Sequence, residues 1–471
     1  MLKLLIAKEL REIVGTTKFA VTFAVCAVLL LLAFYVGARN YQVAQAEYEA
    51  AVAENLNQMA GLTEWLEVDH RVFLPPQPLA VLVNGIANDI GRTVEMRAEG
   101  ELRPENSRFN EDTIYAVFRF LDLDFIFTIV LSLFAILFAY DAINGEKERG
   151  TLRLSFANAV PRDQYLIGKI IGSFLALVVP LLIPILVGCL LLIIMGIPME
   201  AGEWGRLGLI LGAGLLYFTV FLTLSVFISA LTEQSSSSFL MLLVVWIFSV
   251  LIIPRAAVLM SGRAIDVPSI DQINYEKSVF QRQQWNDFRQ KTQAFFAENR
   301  TEGADMQEVF AQYQTESQQW RDDNQAEADA FNGKLNEDRQ NREQVQQRVA
   351  LNISRLSPAS AFSLAASELA GTSLALRHAF AESVDEYQDT YKAFLDEKTG
   401  GSNRFMRFTA QQNEEEEPDP IDPQELPQYQ FSVPDTGTLM SRAAIDFGVL
   451  ALFNVLFFAG AFVAFLKYDV R

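Results

Sequence analysis

Apolar residues in this chain gather into six blocks, separated by polar stretches of very unequal length. The blocks are Phe19–Gly37, Leu121–Tyr140, Leu166–Met195, Leu207–Leu231, Phe239–Met260 and Ala443–Leu466. A helix that crosses a hydrocarbon core needs about 20 apolar residues. The pattern therefore predicts an all-α polytopic membrane protein with six transmembrane helices. Two connections are long, 38–120 and 261–442, and the second reads as a large, mainly helical domain.

The polar stretches carry their own periodicities. Met1–Lys18 alternates Leu2, Leu5, Ile6, Leu10, Ile13 and Val14 with charges, the pattern of an amphipathic helix in the membrane interface; a plain basic anchor reads nearly as well. Lys3, Lys8, Arg11 and Lys18 precede a full-length apolar block with no small-residue cleavage site after it, which is not the layout of a cleaved signal peptide. Tyr41, Tyr48, Val52 and Leu56 recur at helical spacing, so the first span is expected to continue beyond the bilayer. Pro75, Pro76 and Pro78 then interrupt any regular helix, and Val81–Val83 reads as a short strand. Leu166–Met195 exceeds what a bilayer needs, with Pro180 and Pro184 expected to kink it. Gly168 and Gly172, and Gly208 and Gly212, give small-residue faces for close helix contact.

Segments 270–300 and 306–354 are rich in Gln, Glu, Arg and Ala with sparse apolar positions. They read as two long helices of a coiled-coil-like hairpin with its tip at Arg300–Gly303, packed on each other, on 38–60 or on a second subunit. Ala359–Leu369 and Thr372–Lys398 follow as helices. Gln411–Pro434 is acidic and proline-rich, the composition of a mobile or extended connection.

Charge adds sidedness. The net charge is −19. Segment 38–120 has 13 acidic and 7 basic residues, segment 261–442 has 31 and 18, and the rest of the chain has 13 of each. Short connections at Lys3–Lys18, Lys147–Lys169 and Lys467–Arg471 are instead rich in Lys and Arg. Cytoplasmic short loops carry the positive excess. Both termini and the 141–165 loop are therefore placed on the cytoplasmic side of the cell (inner) membrane and the two long segments on the outer side, which six spans allow. This gives an interfacial helix 1–18, spans at 19–37, 121–140, 166–195, 207–231, 239–260 and 443–466, external regions 38–120 and 261–442, and a tail 467–471. The acidic exterior argues against nucleic acid as a partner. Cys26 and Cys189 both fall inside predicted spans, so the external regions must be held by packing alone.

Candidate chemistry is sparse. The sequence has no GxxxxGK[ST], HExxH or CxxC, and its two histidines, His70 and His378, are far apart. His378 is read as a surface helix residue. No nucleotide site, metal or cofactor is expected in this chain, and it is not read as an enzyme. Asp446, Asn454 and Arg255 are polar groups within or at the ends of spans. With so few intramembrane carboxylates, they read as helix contacts or interfacial residues rather than a transport path.

One stretch stands out. Tyr140–Gly172 reads YDAINGEKERGTLRLSFANAVPRDQYLIGKIIG, a dense run of charge between two spans. Gly150 can end the helix leaving the membrane by accepting a left-handed conformation. Thr151 can cap a short helix Thr151–Asn158, and Pro161 can open the next one. From spacing alone this is either a plain polar turn or a short helix across the membrane mouth, placed to be pushed by a soluble partner.

The same stretch resembles the segment after the second span of type-2 ABC transporter permeases. Glu146, Glu148, Arg149, Gly150, Thr151 and Leu152 match their E-x-E-x-G-T-L run. Pro161 and Arg162 match a following Pro–Arg element, adjacent here rather than spaced, and Gly168 and Lys169 match the Gly-Lys entering span three. The preceding YDA-x-x-GE is similar to permeases of nitrous-oxide-reductase maturation and gliding-motility transporters. PPQPLAVLVNG at 75–85 and SPASAFSLAASELAGTS at 357–373 also resemble that subgroup; the long insert at 270–355 departs from its shorter members.

The resemblance implies an exporter-type permease subunit that pairs with a second copy or a paralogue. A separate cytoplasmic ATPase, carrying ATP and Mg, would seat each coupling helix, through Glu146, Glu148, Arg149, Gly150, Thr151, Leu152, Leu154, Phe156, Pro161 and Arg162. The external region would meet a substrate or a protein partner. Two alternatives stay open: an ABC-type mechanical transmitter that drives an external partner and moves no substrate, and an ATP-independent secondary transporter, disfavoured by the scarcity of intramembrane carboxylates and of paired broken helices.

Overall fold

Every apolar block is extended by polar turns into one long helical segment. The computed structural model describes residues 2–86, 91–97, 102, 104–105, 122–157, 161–299, 306–399 and 420–467. Among them six segments are long and apolar enough to cross a membrane: Thr17–Met59, Leu123–Glu148, Arg162–Ile194, Ala201–Leu231, Ser235–Ala264 and Thr436–Lys467, here spans one to six. Leu121, the start of the second block, lies outside the described residues. The chain is thus a multi-pass membrane protein with a large, mainly helical region outside the bilayer.

Span one is a single helix of 43 residues, roughly 65 Å at 1.5 Å per residue and about twice the hydrocarbon thickness. The helical spacing of Tyr41, Tyr48, Val52 and Leu56 is the visible trace of that extension. Span two contains a π-helical stretch, Ile126–Leu131, between α-helical Leu123–Phe125 and Ser132–Ala139. A π turn loosens the i→i−4 ladder. The Thr128 carbonyl in that stretch accepts from Tyr217 Oη of span four at 3.0 Å, and Ser132 Oγ accepts from Trp246 Nε1 of span five at 2.8 Å.

The chain divides into two units, Met1–Leu251 with Ser357–Arg471, and Ile252–Leu356. The second unit holds the helical hairpin, Ile270–Glu298 and Met306–Ser354. Its helices pack on each other through a ladder of aromatic rings: Phe280 on Phe331 at 4.1 Å between centroids, Phe288 on Trp320 at 6.3 Å, and Phe296 on Tyr313 at 4.9 Å. The tip residues lie outside the described residues.

In the first unit, the outer end of span one joins a second hydrophobic cluster. Met59, Val72, Val94, Leu376, Phe380, Tyr391, Leu395 and Leu426 are buried together there. A small antiparallel sheet, β1 (Arg71–Phe73), β2 (Thr93–Glu95) and β3 (Pro104–Glu105), contributes Val72 opposite Val94. Residues 81–83 are not the expected strand. Pro78 opens a 3-10 turn, Pro78–Val81, because its fixed φ favours a helical start, and Leu82 N then donates to Leu79 O at 3.0 Å. The acidic connection is also more ordered than its composition suggests. Residues 411–419 lie outside the described residues, but Ile421 N donates to Leu62 O at 2.8 Å, Pro427 O accepts from Tyr387 Oη at 2.5 Å, and Leu426 is buried. His378 is exposed, as expected.

The helix Pro358–Ala370 packs among the outer ends of the spans, against spans four and six. Ser357 caps it, accepting from Ala359 N at 3.1 Å and Ser360 N at 3.3 Å, and Gly371 ends it at φ +69. Phe362 lies against Phe127 and Tyr217, and Ser363 Oγ donates to Asp124 Oδ1 at 2.6 Å. The two external stretches singled out in the sequence interlock here. Thr372 Oγ1 donates to Val83 O at 3.0 Å, Ile86 N donates to Thr372 O at 2.9 Å, and a Cβ on Gly85 would meet Thr372 O at 2.3 Å.

Candidate coupling site between spans two and three

The loop begins where span two reaches Asn144–Glu148. Gly150 sits at φ +70 and Thr151–Ala157 forms a short helix. Span three starts at Arg162, with Pro161 in extended conformation as its cap. The helix, the glycine turn and the proline start therefore follow the sequence reading. Asn158, at the end of the expected helix, lies outside the described residues.

Three consecutive residues of this loop grip three different sets of helices. Successive residues on a helix point about 100° apart and do not share a face. Glu146 points inward and is 2% exposed. Its carboxylate accepts from Lys169 Nζ of span three at 2.9 Å, from Lys8 Nζ of the amphipathic helix Leu2–Val14 at 3.0 Å, and from Tyr165 Oη at 2.8 Å. Lys147 turns to the C-terminal end of span four, donating to Ala230 O at 2.9 Å and Thr232 O at 3.2 Å. A cation there satisfies carbonyls left open at a helix end and meets the negative end of the helix dipole. Glu148 turns to the start of span five, accepting from Ser235 N at 2.8 Å and from Ser235 Oγ at 2.9 Å.

Asn144 completes the join. Its Nδ2 donates to Thr232 Oγ1 at 2.9 Å and to Gln234 O at 3.3 Å, and its backbone N donates to Ser229 Oγ at 3.1 Å. The polar turn TEQSSSS is therefore the surface to which this loop is fastened. At the far end of the loop, Arg162 Nη1 donates to Leu466 O at 2.8 Å and Phe465 O at 3.3 Å, closing the C-terminal end of span six.

Beneath Glu146 lies a buried charge network. Lys169 Nζ also sits 2.7 Å from Glu9 Oε2, and Ser173 Oγ donates to Glu9 Oε1 at 3.3 Å. Burial pushes the Glu9 carboxyl up, and Lys169 opposes the rise. The Gly168–Gly172 face is filled by the amphipathic helix rather than by another span. A Cβ on Gly168 would lie 2.9 Å from Leu5 Cβ, and one on Gly172 would lie 2.6 Å from Glu9 Cβ.

The site residues read from the sequence fall into two layers. Leu152 is 1% exposed, and Phe156 is half-buried against Tyr165 and Phe465 at 5.4 and 5.7 Å between centroids. With Glu146 they hold the loop from within. Glu148, Arg149, Gly150, Thr151 and Pro161 are exposed, as is Arg153, and Arg162 is half-buried. Arg149 Nε folds back on Gly145 O at 2.9 Å, and Thr151 Oγ1 donates to Glu146 O at 3.4 Å. The Leu154 side chain lies outside what is described. Sequence reasoning missed Lys8, Glu9, Lys147 and Ser235 as members of the site. The signal for Lys147 was present in the run Glu146-Lys147-Glu148, whose adjacent charges cannot share one partner. Within span six, Asn454 makes a helix contact by donating from Nδ2 to Leu216 O of span four at 3.1 Å. Among the described residues no cluster of His, Cys, Asp and Glu could hold a metal ion.

Known proteins are similar to this chain in sequence. The probable ABC transporter permease protein NosY of Pseudomonas aeruginosa is 36% identical over 130 residues, 27% of this chain and 47% of that relative. The protein of the same name from Stutzerimonas stutzeri is 36% identical over 127 residues, 26% of this chain and 46% of its own length. The chain spans about half the length of the curated relatives it matches. The family model described as ABC-2 family transporter protein matches residues 4–470. With a match over nearly its whole length and six spanning helices, the chain belongs to the ABC-2 family of transporter proteins.

Proposed function

We propose that this chain is the permease subunit of an ATP-driven exporter. It pairs with a second copy or a paralogue, and a separate cytoplasmic ATPase seats on the loop helix. The observation that carries the reading is the fastening of Glu146, Lys147 and Glu148 to spans three, four and five within one turn of helix. A push on the exposed residues Arg149, Gly150, Thr151 and Arg153 would reach three spans through short polar contacts. The exposed residues offer the ATPase its surface, and Leu152, Phe156 and Glu146 make the loop rigid enough to transmit. ATP and Mg belong to that partner, and this chain supplies the lever. Nucleotide shifts the spans only if the ATPase binds the loop differently in its two states.

Co-expression with the ATPase tests this reading. Arg149→Glu together with Arg153→Glu should abolish co-purification and leave the thermal midpoint of the permease unchanged, since both residues are exposed. Undiminished co-purification would contradict it. A mechanical-transmitter reading draws on span one. Its helix begins with Phe19 against Phe138 near the loop, at 6.0 Å between centroids, and ends with Met59 inside the external hydrophobic cluster. One continuous helix thus joins the two sides, and its movement would carry the external part whether or not a substrate passes.

A further inference from the structure

The amphipathic helix Leu2–Val14 has two faces, and only one is used by the fold. The inner face buries Glu9 and Ile13 and lays Leu5 over Gly168 of span three. The outer face borders a shallow, open hollow of about 630 Å³ lined by Ile6, Ala7, Leu10, Val14 and Gly15 together with Lys3 and Arg11. Among the described residues no acidic one lines it. Glu9 is turned inward to Lys169, and Glu12 lies off the hollow beside Lys8 at 3.8 Å. Lys8 is taken up by Glu146. Lys3 and Arg11 are left without a charged partner among the described residues.

We infer that this hollow binds anionic phospholipid, with headgroup phosphates on Lys3 and Arg11 and acyl chain along Ile6, Leu10 and Val14. The two cations are eight residues apart, about 12 Å along the helix, and both lie on one apolar stripe. An apolar face that also carries two cations is the chemistry of a helix lying in the headgroup region of an anionic leaflet. The position agrees: the hollow runs to Gly15, and span one begins at Thr17. The same helix carries Lys8 and Glu9, which hold Glu146 and Lys169, so a lipid seated on its outer face would steady the loop contacts from behind. The inference rests on the membrane-spanning reading and stands apart from the ATPase.

The test is lipid retention by the full chain in nanodiscs of phosphatidylcholine and phosphatidylglycerol in equal parts, read by native mass spectrometry. The wild type should retain phosphatidylglycerol in excess. Lys3→Gln with Arg11→Gln should reduce that excess roughly five-fold for each cation removed, while Lys3→Arg with Arg11→Lys should keep it. The double Gln variant should unfold at the wild-type temperature, because both side chains are exposed and neither has a charged partner among the described residues. A wild type with no preference, or a double Gln variant with the full excess, overturns the inference. So does a variant that loses a protein partner while keeping its phosphatidylglycerol, which would make the hollow a protein surface.

Discussion

Lys169 is the shared cation of Glu9 and Glu146, with its Nζ 2.7 Å from one carboxylate and 2.9 Å from the other. All three side chains are less than a tenth exposed. Removing the cation leaves the buried Glu9 carboxylate without its ion-pair partner and Glu146 with Lys8 alone, and breaking a buried pair costs about 3–5 kcal/mol. Lys169→Met should therefore lower the thermal unfolding midpoint sharply and loosen the amphipathic helix from span three. Adding Glu9→Gln and Glu146→Gln should recover most of the loss. A single variant as stable as the wild type would show that the network is not closed as described.

Glu148 and Ser235 make the same point for motion rather than stability. Both lie at the surface of the join between the loop and span five, so neither Glu148→Ala nor Ser235→Ala should impair folding. Each should lower the dependence of the complex's ATP turnover on the permease. The double variant should be no worse than the worse single one, because both remove one contact. Strictly additive losses would mean that the two residues act separately.

The glycine faces separate two kinds of small residue. A side chain at Gly172 would strike Glu9 Cβ at 2.6 Å, whereas one at Gly212 meets nothing within 4 Å. Gly172→Leu should destabilise the chain by about 1–3 kcal/mol through overpacking, and Gly212→Leu should leave the thermal midpoint of the protomer unchanged. Equal effects from the two would contradict the packing of the amphipathic helix.

His70 gives the external cluster a pH dependence. Burial lowers its pKa from 6.5 to about 4, and its Nε2 lies 3.0 Å from Tyr387 Oη. The unfolded chain takes up a proton below pH 6.5 that the folded chain refuses until about pH 4. Stability is therefore full above pH 6.5 and falls as the pH drops towards 4, by at most about 3 kcal/mol for this group. Unfolding midpoints between those pH values should flatten in His70→Gln. An unchanged slope would place the dependence elsewhere.

The spans were legible because an apolar run of bilayer length has few other meanings. Span one's extension was legible too, since Tyr41, Tyr48, Val52 and Leu56 keep helical spacing. The loop helix could be read from Gly150 and Pro161, two residues with narrow conformational preferences. The sheet could not: strands of two and three residues are too short to show alternation, and Pro78 turned the apolar run beside it into a 3-10 turn. The charge network was hidden for a different reason. Glu9, Glu146 and Lys169 come from three separate segments, and only the approach of one helix over Gly168 and Gly172 brings them together. Each charge looked like an ordinary solvated residue.

The proposed coupling loop is tested most directly by where an ATPase subunit touches this chain. A photoreactive phenylalanine analogue can be placed at exposed Arg153 on the loop helix, and at exposed Trp285 on the external hairpin as a control. After irradiation of the assembled complex, position 153 should yield a covalent adduct with the ATPase subunit and position 285 none. An ATPase that co-purifies yet never crosslinks from 153, or crosslinks equally from 285, would contradict the coupling-loop reading.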